Sequence, residues 1–427
     1  MAATSTSTVI HRVKINEIST RRRIATGVIE LGVAAFIYFV FAARVAPGTL
    51  TTFVMTPGGI TAGQIADWVV STQITLLALA LLSLLIGIVQ LARGFGKATN
   101  ALMGLVFLFF IFSFLTWQAS DKSLNLAGML SSAVLLAVPI TLGAFTGILC
   151  ERAGVVNIAI EGMMLMSAMV GALMGSLTNS LWLGLLFGVL SSVLLSALHA
   201  VLSIRYKIDQ IISGTVINIF SAGLTSFLSQ KFLQVHQELN NPPMFSRVEI
   251  PGLANIPVIG PIFFNTNFFV YLMFILLVVL QVALFSTRWG LRVRSVGEHP
   301  KAADTLGINV IRTRYMAVLL GGVLAGLAGA FFTLGSVGRF DEGMTAGKGF
   351  IGLAAMIFGN YSPIGALGAG FLFGFADSLG SKLSLLGSTI PSTLMSTAPY
   401  LITMIVLAGF IGKGHVPAAD GVPYDKE

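Results

Sequence analysis

The sequence has little of what reactive centres are made from. Cys150 is the single cysteine among 427 residues, which excludes an internal disulfide framework and a cysteine-rich metal site. In an apolar run, a lone thiol reads as a small inert hydrophobe near a helix end. The 5 histidines are scattered, and no His-Glu-x-x-His, Gly-x-Ser-x-Gly or cysteine cluster occurs. No Gly-x-x-x-x-Gly-Lys-Ser/Thr run occurs either, since Gly347-Lys348-Gly349 lacks both the spacing and the hydroxyl. The chain therefore has no P-loop for ATP, and no catalytic residue or metal ligand set is assigned. Charge is scarce too: 10% of residues are charged, against about 25% in soluble domains.

What remains is apolar. Hydrophobic residues make up 55% of the chain and mean hydropathy is +0.90, which together define a polytopic integral membrane protein. The net charge of +8 sits in short loops and the N-terminal arm, so it reads as topology and anionic-lipid contact. The 31 Phe are not interleaved with Lys or Arg, which argues against a nucleic-acid face.

Apolar windows recur from Ile24–Ala43 through Val69–Leu91, Ala101–Trp117, Leu126–Leu149, Val155–Leu177, Leu181–Ile204 and Ile211–Leu233. They continue at Phe268–Phe285, Tyr315–Leu334, Ile364–Leu379 and Leu394–Ile411. Phe350–Phe358 is too short to cross about 30 Å of hydrocarbon and reads as half a helix or a re-entrant segment. The expected fold is thus an all-α transmembrane bundle of about 10–12 spans with one short element. Arg21-Arg22-Arg23 before Ile24–Ala43 could belong to a signal peptide, but the run is long enough to span and is read as an uncleaved first helix. The positive-inside rule places the N-terminal arm, Arg93/Lys97, Arg205/Lys207 and the Arg288–Arg314 loop in the cytoplasm, with Gln234–Asn267 outside.

Three polar stretches interrupt the apolar pattern. In Glu151 through Gly162, Asn157 and Glu161 are four apart and would share a helix face, while Gly154 and Gly162 bracket a possible break. Glu161 either faces a translocation pathway or locks the bundle by pairing with Arg152 or a neighbouring helix. Ser213, Thr215 and Asn218 could bond a polyhydroxylated solute or simply bond across helices. Phe350 and Asn360 flank the short segment, which suits an element beside the pathway. His199, near a helix end, is read as a satisfied interface residue rather than a ligand. Gly322 with Gly326, and Gly370 with Gly374, are small-xxx-small pairs that let helices approach closely.

Between Arg294 and Arg312 lies a polar helix of roughly seven residues, about 10 Å long, with Pro300 at its start and Gly307 after its end. Ala302, Ala303 and Leu306 form its small or apolar face. Such a knob suits a membrane domain pushed by a soluble motor; an ordinary basic loop with one helical turn has the same composition.

Taken together, several collinear blocks between Leu126 and Ile411 resemble the permease subunits of ABC importers. They are Glu151–Met164, Ser213–Asn218, Gly297–Asn309, Phe340–Gly347 and Phe358–Ala366. The resemblance is to the family serving branched-chain amino acids, ribose-type sugars and nucleosides, and within it to the nucleoside branch paired with a basic-membrane-protein type lipoprotein. It implies that Pro300 to Leu306, with Glu298, Ala302, Ala303 and Gly307, is a coupling helix docking on a separate ATPase subunit that carries ATP and Mg. It also implies a second, different permease chain, an extracytoplasmic substrate-binding lipoprotein and a bacterial plasma-membrane location; the count of spans returns both termini to the cytoplasm. His299 stands where asparagine is expected, and extra spans precede the usual core. The expected division is an arm over 1–23, a transmembrane extension over 24–118, a permease core over 119–412 and a tail over 413–427. Competing readings are a simple-sugar importer, an ion-coupled secondary transporter, which would show two similar halves, and a membrane enzyme, which would need clustered His, Asp, Glu or Cys.

Overall fold

The computed structural model describes residues 20–60, 63–385, 397 and 415–426. Ten helices among the described residues are long and apolar enough to cross a membrane. The window Leu394–Ile411 lies outside the described residues. The chain divides into two compact units, Met1–Val54 with Asp67–Leu124, and Met55–Ala66 with Asn125–Glu427.

The first unit contains α1 (Thr20–Phe36), α2 (Thr72–Ala92) and α3 (Thr99–Gln118). Gly27 of α1 meets Leu91, and Gly87 of α2 meets Leu31, so the first two helices close together at two glycines. Gln90 donates to Thr26 Oγ1 at 2.8 Å across the same seam, which satisfies a polar side chain inside the unit. Aromatic rings fill the other end, with Phe41 stacked on Trp117 at 5.0 Å between centroids. Leu50–Val54 pairs antiparallel with Trp68–Ser71 before α2 begins.

The second unit holds α4 (Leu126–Glu151), α5 (Ile160–Thr178), α6 (Leu181–Ala200), α7 (Gln210–Leu228) and α8 (Phe268–Ser286). After them come α9 (Arg288–Glu298), α10 (Pro300–Thr305), α11 (Val310–Ala330), α12 (Lys348–Phe358) and α13 (Pro363–Leu385). Side-chain caps set several starts: Asn125, Asp209, Asn267, Thr287 and Asn309 each accept from a backbone N–H of the first turn. Burial shows where the centre is. The apolar windows of α4, α5 and α11 are 89%, 67% and 72% buried, whereas those of α6, α7 and α8 are 33% or less. α4 is the axial helix, packed against α11, α12 and α13.

Small residues and hydroxyls make this centre possible. A Cβ on Gly322 would lie 2.5 Å from Ser196 Cβ, and one on Gly326 would lie 2.7 Å from Val189 Cα. Gly370 and Gly374 face Thr141 and Ala133 of α4 at equally close range. Where the backbones meet, hydroxyls bond across: Ser192 donates to Gly322 O at 2.7 Å, Ser196 to Val318 O at 2.6 Å and Ser167 to Gly326 O at 2.6 Å. In hydrocarbon a hydroxyl has no water to turn to, so a row of such bonds fixes helix register as well as adding attraction.

Candidate functional site

Two irregular elements define the site, and they run side by side. The first is the unwound segment 152–159 between α4 and α5; the second is the half-helix α12 with its flanking turns. At 11 residues α12 is about 16 Å long, roughly half the hydrocarbon thickness.

The half-helix is pinned at both ends by charges of matching sign. Its first residues have no side-chain cap of their own. The Glu161 carboxylate supplies one from α5: Oε1 accepts from Thr345 Oγ1 at 2.6 Å and Gly347 N at 2.8 Å, and Oε2 accepts from Gly349 N at 2.7 Å. A Cβ on Gly349 would lie 2.7 Å from Glu161 Cα, so glycine is what admits the carboxylate so close. At the other end Arg152 donates through Nε and Nη2 to Tyr361 O at 3.1 and 3.0 Å. An anion at a helix N-terminus and a cation at its C-terminal carbonyls both stabilise the helix dipole. Arg152 and Glu161 therefore do not pair with each other; they bracket α12.

The unwound segment is held mainly by α6 and α7. Gln210 Oε1 accepts from Val156 N at 2.6 Å. Asn218 donates to Ile158 O at 2.9 Å and accepts from Gly162 N at 2.8 Å, closing the break like a missing turn of helix. His199 is buried, with Nε2 3.0 Å from Val156 O and Nδ1 3.0 Å from Ser213 Oγ. A carbonyl can only accept, so Nε2 carries the proton and Nδ1 accepts from the serine hydroxyl. Asn157 accepts from Ala159 N at 3.0 Å within the segment itself.

Several expectations need revision here. Asn157 and Glu161 do not share a helix face, because Asn157 lies in the break and α5 starts only at Ile160. Asn157, Ser213 and Asn218 direct their polar groups at neighbouring backbone or side chains, the internal alternative weighed for such residues. Phe350, by contrast, is 47% exposed on the open face of α12 together with Ile357. Asn360 sits in the left-handed turn after α12, where its Oδ1 accepts from His415 N at 2.9 Å.

The knob after α9 is a six-residue helix, Pro300–Thr305, one residue shorter than expected. His299 caps it after all, with Nδ1 accepting from Ala302 N at 3.3 Å. Its expected apolar face is split. Ala303 is buried on the chain's own Val296 and Val310, while Ala302 is exposed and Leu306 is 82% exposed. Glu298 ends the preceding helix, its carboxylate lying 3.3 Å from both Ala418 N, from which it accepts, and His415 Nε2. Gly307, at φ +81°, takes the left-handed conformation that ends the helix.

One intramembrane ion pair escaped the sequence reading. Lys348, the first residue of α12, bonds Asp377 of α13, both side chains being under one-fifth exposed. The signal was present, since a carboxylate inside the predicted span Ile364–Leu379 calls for a partner. Arg152 and Gln210 were likewise missed as anchors, because what they bind is backbone and backbone leaves no mark in a side-chain pattern. Thr345 was missed because its partner, the Glu161 carboxylate, lies far away in sequence.

A bundle of ten helices of spanning length among its described residues, a half-helix with both ends pinned and an exposed helical knob has the parts of a membrane transport component. Comparison with known proteins places it further. The family model for the branched-chain amino acid transport system / permease component matches residues 129–410, and the chain belongs to that family. It is 40% identical over 305 residues to the guanosine ABC transporter permease protein NupQ of Bacillus subtilis strain 168, covering 69% of this chain and 95% of that one. It is 42% identical over 308 residues to the nucleoside ABC transporter permease protein NupC of Lactococcus lactis subsp. cremoris strain MG1363, covering 70% and 96%. A putative glucose ABC transporter permease protein of Haloferax volcanii, TsgC13, is 33% identical over 300 residues, covering 66% and 91%. No solved structure matches. The chain is a permease subunit of an ABC transporter.

Proposed function

We propose that this permease serves a nucleoside importer of a bacterial plasma membrane. The observation that carries the substrate class is the higher identity, 40% and 42%, to permeases named for guanosine and nucleosides, against 33% to one named for glucose. The basic end of the bundle, with α9, α10 and both Arg205 and Lys207, faces the cytoplasm, and the Gln234–Asn267 connection faces outward. Mg and ATP bind a partner ATPase, which docks on the exposed side of α10 through Ala302 and Leu306. An extracytoplasmic lipoprotein delivers solute to the outer end.

A second, different permease chain completes the pathway. Non-spanning backbone at membrane depth is stable only where protein or a watered cavity covers it, and the Phe350–Ile357 face of α12 is open in a single chain. Closure of the ATPase pair would push α10, and the two permeases would rock about the covered half-helices. Membranes enriched in the complex and its receptor should take up radiolabelled nucleosides in an ATP-dependent way, competed by nucleosides and not by glucose or ribose. A simple sugar is the second reading, favoured by the glucose-named relative; competition by glucose alone would establish it and exclude nucleosides.

A further inference from the structure

We propose that residues His415–Lys426 form a strap that carries thrust from α10 to the turn after α12, with Tyr424 as its main positioning residue. The proposal rests on the reading that α10 receives the ATPase. The strap crosses the basic end of the second unit and is fastened to separate elements in turn. His415 N donates to Asn360 Oδ1 at 2.9 Å, beside the turn that Arg152 pins. Ala419 N donates to Gly297 O at 2.8 Å, on the last turn of α9. Arg314 of α11, 1% exposed, donates through Nη1 to Val422 O at 2.9 Å. Tyr424 then packs into the small apolar cluster of Val296, Ala303 and Val310, directly behind the coupling helix.

That last contact matters because a six-residue helix cannot hold its own shape; isolated helices need roughly 12 residues or more. Only Ala303 of α10 is buried, so the rigidity of the knob comes from what lies behind it, and part of that is the strap. The layer beneath the strap is close-packed as well. A Cβ on Gly154 would come within 2.9 Å of both Ala419 O and Arg314 Nη2, and one on Gly297 would collide with Arg152 O. A push on Ala303 therefore meets strap, α9 and the Arg152 turn as one stiff body, and it is delivered to the end of the half-helix. Burial raises the Asp420 carboxyl, while hydrogen bonds with Glu151 and Gly421 N and the Arg314 charge lower it, which fits a segment seated in protein and not lying loose in solvent.

The test uses the whole transporter, reconstituted with its ATPase and receptor. Three permease variants are compared with the parent: a chain ending at Gly414, Tyr424→Ala and Tyr424→Phe. Copurified ATPase, receptor-stimulated hydrolysis and solute taken up per ATP are measured in each. The truncated chain should keep its ATPase and hydrolyse normally, yet lose about five-fold or more in uptake per ATP. Tyr424→Ala should lose about two- to five-fold, and Tyr424→Phe, which keeps the ring in the cluster, should lose less than Tyr424→Ala. A merely structural tail would lower both activities together and leave their ratio unmoved, and that result overturns the proposal. If truncation costs the ATPase altogether, Tyr424→Ala decides by the same ratio. Leu306→Glu separates the two readings: retained ATPase in that variant defeats the docking assignment itself, independently of the strap variants.

Discussion

The two irregular elements of the permease core are built on opposite principles. The segment 152–159 is held all along its length, by Gln210, His199 and Asn218 from neighbouring helices and by Asn157 from within. The half-helix α12 takes its polar bonds at its ends, from Glu161 and the Lys348–Asp377 pair at the start and near Arg152 at the finish. Ile351, Gly352, Ala355 and Met356 are buried along one side, while Phe350 and Ile357 face open space. A distributed set of bonds tolerates the loss of one member; a terminal clamp does not. The first element is a wall of dispersed polar bonds, and the second depends on two polar anchors.

The largest expected effect is therefore at Glu161. Bonds to a charged group contribute about 1.5–3 kcal/mol each, and Glu161→Ala removes its bonds to Thr345, Gly347 and Gly349 at once, leaving the Lys348–Asp377 pair at the start of α12. Uptake should fall more than about ten-fold, with melting temperature lowered in detergent. If uptake survives, the clamp is not what holds the half-helix. Gly326→Leu comes next: with Val189 Cα already 2.7 Å from a modest Cβ, overpacking should cost about 1–3 kcal/mol in a thermal melt. A neutral melt would show that the α6–α11 seam is looser than described.

Asn218→Ala should be milder, about 1–2 kcal/mol with uptake reduced only a few-fold, because Gln210 and His199 still hold the wall. Equal damage from Asn218→Ala and Glu161→Ala would erase the contrast between the two elements. The smallest effect concerns acidity. Burial lifts Asp420 from an ordinary 3.8 to about 6, so the docked strap binds its proton more tightly than a free one. Docking is then strongest below 3.8 and weakens as pH rises through about 6, levelling off above it. Cys150, Glu151, Arg314 and Tyr361 are the charged or titratable groups around it. Hydrogen exchange of the strap should quicken by about three-fold beyond its intrinsic pH dependence between about pH 5.5 and 6.5. Asp420→Asn should abolish that excess.

Much of this was legible in the sequence, and the rest failed for identifiable reasons. Spans, the half-length of Phe350–Phe358 and the glycine pairs are written in composition and spacing, which local patterns carry. Pro300 and Gly307 announced α10 within a residue. The break before α5 was announced by Gly154, but not its course, because the bonds that shape it come from α6 and α7, dozens of residues away. Glu161 was singled out for sitting where a charge is costly, and its partners were hidden because they are the Thr345 hydroxyl and two backbone N–H groups 184 to 188 positions downstream. The split face of α10 was hidden too, since helical spacing groups Ala302, Ala303 and Leu306 without saying which of them the chain itself covers.

The central claim is that this permease moves solute only with energy delivered through α10 by a separate ATPase. The direct measurement is accumulation in sealed vesicles holding either the permease alone or the assembled transporter with receptor. The account predicts concentrative uptake by the assembled transporter when ATP is supplied, insensitive to a protonophore, and none by the permease alone under a proton or sodium gradient. Gradient-driven accumulation by the permease alone would contradict it.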